Sequence, residues 1–132
     1  MQGFARLPSR TVTLTHGEES VVFTLAPPPL GYFDTVEMLL PPPAPAPLKK
    51  DPDPAALAKW TARKMFLILG RALGDQLSAA PPLSGAGATA WAAYADSIAA
   101  EFEAAMMLDG DVSDLWNAVV ALRRGIGDLP KT

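Results

Sequence analysis

Ten of the chain's fourteen prolines fall between Pro27 and Pro54, and they decide where regular structure can exist. Proline has no N–H to donate and holds φ near about −65°, so helix interiors and central strands do not cross such runs. Pro27-Pro28-Pro29 ends whatever precedes it, and Pro41-Pro42-Pro43 ends whatever lies between the two runs. Three parts follow from this partition. Residues 1–40 are expected to hold a β-hairpin and a short helix, residues 41–52 a proline-rich linker, and residues 53–132 a helical domain.

Thr11-Val12-Thr13-Leu14-Thr15 alternates apolar and polar side chains, the period of a half-buried strand. Val21, Phe23 and Leu25 share one face of a second strand, and His16-Gly17-Glu18-Glu19 supplies the polar turn between the two. A lone two-stranded hairpin is marginal in water, so this one has to lean on helices, a third strand or a partner. After the first proline run, Leu30, Phe33, Val36 and Leu40 recur at helical spacing. They predict an amphipathic helix from about 29 to 40, stopped by the second run. About three turns do not stand alone, so its apolar stripe needs a cover. The linker composition favours extended polyproline II and reads as a spacer rather than as a ligand for an SH3-type or WW-type domain.

Asp53-Pro54 fits the N-cap and first position of a long helix reaching about Leu77. Its run Met65-Phe66-Leu67-Ile68-Leu69 covers more than one face, which marks the segment for deep burial, while Lys59 and Arg63 lie on the opposite side. Gly70 and Gly74, four apart, permit close approach of a neighbouring helix. A second long helix is predicted from Ala88 to Leu108, with Trp91, Tyr94, Ala95, Ile98, Phe102, Ala105 and Met106 as its stripe and Gly110 as its C-cap. A third, capped by Asp111 or Ser113, buries Leu115, Val119, Leu122 and Ile126. The fold class is therefore mainly α with a small N-terminal β-hairpin, three to four helices forming a small bundle.

Composition excludes several function classes. There is no cysteine, so disulfides and thiolate metal sites are ruled out. Net charge is −3 and no basic stretch is dense, which argues against nucleic-acid binding. No apolar run approaches the roughly 18 residues of a membrane span, and the N-terminus lacks a signal-peptide core. Gly85-Ala86-Gly87-Ala88-Thr89-Ala90 fits G-x-G-x-x-A, but Pro81-Pro82-Leu83 stands where a dinucleotide site needs a strand, so no cofactor is expected. Asp109-Gly110-Asp111-Val112-Ser113-Asp114 has its glycine at the second position and Val120 at the twelfth, which does not build a calcium loop. His16, the one histidine, is expected to be a solvated turn residue, and Glu101 and Glu103 stand two apart on a helix and cannot face each other. Trp60, Trp91 and Trp116 read as core, one of them as a candidate anchor for a partner. No enzyme is expected.

The order of parts resembles the tail assembly chaperones of long-tailed bacteriophages. A β-type segment runs into Phe23-Thr24-Leu25-Ala26-Pro27-Pro28-Pro29, and a helix over 30–40 runs into Pro41-Pro42-Pro43. A proline-rich spacer leads to Asp51-Pro52-Asp53-Pro54 and a helix with Trp60 and Arg63; Trp91-Ala92-Ala93-Tyr94, Glu101 and Asp114-Leu115-Trp116 follow. The resemblance spans roughly residues 10 to 125 and is one of layout. It implies a non-catalytic protein that binds the long helical tape measure protein, keeps it soluble in the host cytoplasm and is absent from the mature virion. The apolar positions expected to meet that partner are Leu30, Phe33, Val36, Leu40, Trp60 and Trp91. Met65, Met106 and Met107 are flexible enough to let a binding groove adapt. No nucleic acid or membrane partner is expected, and homo-oligomerisation stays open. The alternative reading is a structural phage protein, a head–tail joining or minor tail component, retained in the virion.

Overall fold

The computed structural model describes residues 1–45, 52–77, 80 and 85–127. Strands β1 (Arg10–His16) and β2 (Glu19–Leu25) pair antiparallel, with Arg10 opposite Leu25 and His16 opposite Glu19. Gly17 takes the left-handed φ of 61° that the tight turn requires. Four α-helices follow among the described residues: α1 (Tyr32–Leu39), α2 (Pro54–Leu73), α3 (Ala88–Ala104) and α4 (Asp109–Arg123), with a 3-10 turn at Gly74–Gln76. The protein is thus a small, mainly α fold carrying an N-terminal hairpin.

The hairpin leans on helices. Strand β1 packs along α4, and β2 meets the C-terminal end of α2. There the Ala26 N–H donates to the Ala72 carbonyl at 3.0 Å. The Gln76 side chain also binds the backbone of Thr24 on both sides, accepting from its N–H at 3.1 Å and donating to its carbonyl at 2.7 Å. Leu14 and Leu25 from the hairpin, Val36 and Leu40 from α1, and the apolar faces of α2, α3 and α4 form one core. Residues on both sides of the proline-rich stretch share that core. Within the stretch, 41–45 and 52 carry no helix or strand, and 46–51 lie outside the described residues.

Helix α2 is buried in its second half, where Leu67, Ile68, Leu69, Gly70, Ala72 and Leu73 are all enclosed. The Asp53 carboxylate accepts from the Ala56 N–H and caps its start, as the sequence leads one to expect. Gly70 faces Tyr94 and Ile98 of α3, and Phe66 meets Phe102 edge-on with centroids 5.8 Å apart, so α2 and α3 run antiparallel in close contact. Arg63 binds both carboxylate oxygens of Asp96 across this pair, at 2.8 and 3.0 Å.

Several expected boundaries move. Helix α1 starts at Tyr32 because Gly31 before it is left-handed at φ 76°, which leaves Leu30 outside the helix and exposed. Helix α3 ends at Ala104, short of the expected Leu108, because Met106 adopts φ 58°. Ala105 and Met106 therefore leave the buried stripe and face solvent. Gly110 does not cap that helix; it lies in the first turn of α4, which starts at Asp109. Asp111 stands at the third position of α4 and accepts from the Leu108 N–H at 2.8 Å, half of a capping box. Leu115, Val119 and Leu122 are buried as expected, but Ile126 lies past the helix end and is exposed.

Candidate functional site

The first half of α2 projects beyond the core. Pro54, Leu57, Ala58, Thr61, Ala62 and Met65 recur at steps of three and four, so one stripe about three turns long runs down a single face. Pro54, Leu57, Ala58, Thr61 and Ala62 are exposed, Leu57 at 40%, and only Met65 at the inner end is half-buried against the core. Phe33 from α1 and Trp116 from α4 stand opposite it, their rings 5.8 Å apart and tilted at 33°. Between them lies a groove of about 760 Å³ with apolar walls. The alanines and Thr61 keep its α2 wall low, and the aromatic pair makes the other wall tall.

Charge enters only at the edges. Lys64 borders the groove and is paired with Glu37 of α1, while its Nζ stands 5.4 Å from the centre of the Trp60 ring. Arg123 lies over the ring of Phe33, its guanidinium carbon 4.0 Å from the ring centre. No carboxylate lines the groove.

Of the six residues expected to meet a partner, Phe33 alone lines this groove. Trp60 is half-buried beside it and donates from Nε1 to the Leu40 carbonyl at 2.8 Å, which fastens α2 to the end of α1. Val36, Leu40 and Trp91 are core residues at 0, 7 and 2% exposure: the α1 stripe is covered rather than left open, and Trp91 is on the buried face of α3. Trp91 packs edge-on against Tyr94 at 6.0 Å. Leu30 is exposed but outside the groove. The residues that sequence reasoning passed over are Ala58, Thr61 and Ala62, which look like neutral helix formers. Their common spacing with Pro54, Leu57 and Met65 is the signal that reveals them.

Two smaller concavities carry polar groups. One, of about 370 Å³, is lined by Tyr32, Tyr94, Gly70 and Arg71. Burial pushes both phenols above their ordinary pKa, so each stays protonated and neither offers a phenolate nucleophile. The other, of about 290 Å³, lies between the hairpin and the α3–α4 connection and is bordered by Val21, Met106 and Met107. On its rim His16 is exposed, as expected, but it belongs to the strand rather than the turn. It closes β1 and donates from Nε2 to Oδ2 of Asp111 at 2.6 Å. The Leu108 N–H first, and His16 second, hold the Asp111 carboxyl below the usual carboxylate range. This pair ties the hairpin to α4, and the cavity lining beside it holds no serine or cysteine. Asp111 is thereby committed to fold contacts. No cluster of three His, Cys, Asp or Glu that could hold a metal exists among the described residues.

Gly87 caps α3, and the two strands present are antiparallel, so the G-x-G-x-x-A stretch does not sit in a βαβ unit among the described residues. No helix among those residues is long and apolar enough to cross a membrane. The chain matches no family model, no curated protein and no solved structure.

Proposed function

We propose that this protein is a non-catalytic tail assembly chaperone that holds an apolar helical segment of a phage tape measure protein in the groove between α1, α2 and α4. The observation that supports this reading is the uncovered stripe of α2 facing Phe33 and Trp116. An amphipathic helix recognised in a groove needs an apolar trough longer than one turn, and anchors at i, i+3, i+4 and i+7 on one side. The trough here is about three turns long and is set on a rigid core. Full burial of a large apolar side chain is worth about 1.5–3 kcal/mol, from which the cost of ordering the partner is subtracted. A grip of that kind is firm enough to mask a sticky helix and weak enough to release it as the tail polymerises.

Co-expression with the tape measure protein of the same phage tests the proposal. The parent is expected to raise its soluble fraction. The double variant Leu57→Glu, Thr61→Lys changes two exposed groove positions and should lose that effect while keeping the parent's thermal melt. If the parent leaves tape measure solubility unchanged and is itself recovered in finished particles, the chaperone reading fails and the retained structural component takes its place.

A further inference from the structure

Resting on the groove reading, we infer that the groove selects helices whose apolar stripe is bordered by carboxylates, and that Arg123 is the residue that reads them. Arg123 stacks on Phe33, which is itself a wall of the groove. A cation–π contact of this kind is made by the guanidinium's charge and not by its N–H groups acting on an oxygen, so its five donors are left for a carboxylate. On α2, Lys64, which lines the groove, is matched by Glu37, and Arg63 is matched by Asp96. Arg123 has no carboxylate within ion-pair distance among the described residues, and the groove lining offers none.

Geometry makes this cation selective. Its stem is held by the stacking, so little freedom is left to lose when a carboxylate arrives. A partner helix seated in the groove displaces water beside it, and the pair strengthens as the local dielectric falls. Overall charge works in the opposite direction. The chain carries −3, so bulk electrostatics favours a cationic partner, and a preference for an acidic one has to arise locally.

Two synthetic 18-residue helices test the inference. Both carry the same leucine stripe at i, i+3, i+4 and i+7; one has glutamates on both sides of the stripe and the other lysines. Binding is followed by tryptophan fluorescence, which Trp116 in the groove wall reports, and by calorimetry. The glutamate helix is expected to bind the parent about fivefold to tenfold more tightly, and the gap should narrow in high salt. Arg123→Glu should reverse the preference. Lys59→Glu makes the same charge change away from the groove and should preserve it. A melt by circular dichroism establishes that both variants are folded. Equal binding of the two helices, or a reversal by Lys59→Glu as well, overturns the selective role of Arg123 and leaves the groove standing. If neither helix binds at all, the groove reading fails and the inference falls with it.

Discussion

A Cβ on Gly70 would stand 2.7 Å from the hydroxyl oxygen of Tyr94 and 3.3 Å from the ring carbon that carries it. This close contact between α2 and α3 therefore depends on a missing side chain. A glycine inside a helix costs about 0.5–1 kcal/mol relative to alanine, and the close approach explains why one is present. Gly70→Ala and Tyr94→Phe should be strongly coupled. Alanine at 70 should be less well tolerated in the parent than in the Tyr94→Phe background, where the 2.7 Å clash is gone and the helix gain remains. A double-mutant cycle in urea should give a coupling of about 1 kcal/mol. Additive effects would show that the helices do not meet at this point.

Ile68 has no exposed surface and sits where α2 passes through the core. Ile68→Ala should destabilise by about 2–5 kcal/mol through lost contacts and the cavity left behind. Ile68→Asp should prevent folding, since an unpaired carboxylate does not stay charged there. Thermal melts followed by circular dichroism check both. A parent-like melt for the aspartate variant would contradict the placement of α2.

Asp111 gives stability a pH dependence of known sign. Its carboxyl is held below its ordinary value in the fold, chiefly by the Leu108 N–H and then by His16. A group depressed by folding stabilises fully above its unfolded pKa of about 3.9, and that contribution fades as pH falls through the lower folded value. Asp111→Asn should therefore lower Tm at pH 7, and the gap should close as the pH falls through the lowered folded value. A gap between the two that widens on acidification would refute the assignment.

Much of this arrangement is legible in the residues. The alternation in β1, the run Met65–Leu69 and the stripe Trp91–Tyr94–Ile98–Phe102 each announce their element, because burial imposes a period that composition then obeys. Helix ends were harder. Met106 has no chemical mark of a left-handed residue, and the apolar pattern continues through it, so α3 looks longer than it is. The groove was hidden for another reason. Large apolar residues draw attention, and Val36, Leu40 and Trp91 are large because they fill the core. The open surface instead consists of small residues, Ala58, Thr61 and Ala62, whose meaning depends on Phe33 and Trp116 standing across from them. That pairing is tertiary, and no local spacing encodes it.

The Gln76 side chain has a consequence for crowded solution. A two-stranded sheet has two open rims, and each is a template on which another chain can add a strand. At Thr24 the carboxamide of Gln76 presents one acceptor and one donor to the strand, as a neighbouring peptide group would. A single side chain thus stands in for a third strand, anchored by its own bond to the Leu73 carbonyl at 2.8 Å. It covers the end of the rim nearest the core and denies it to an incoming chain. Gln76→Ala would uncover that stretch, and concentration-dependent association of the variant in sedimentation is where the loss would first show.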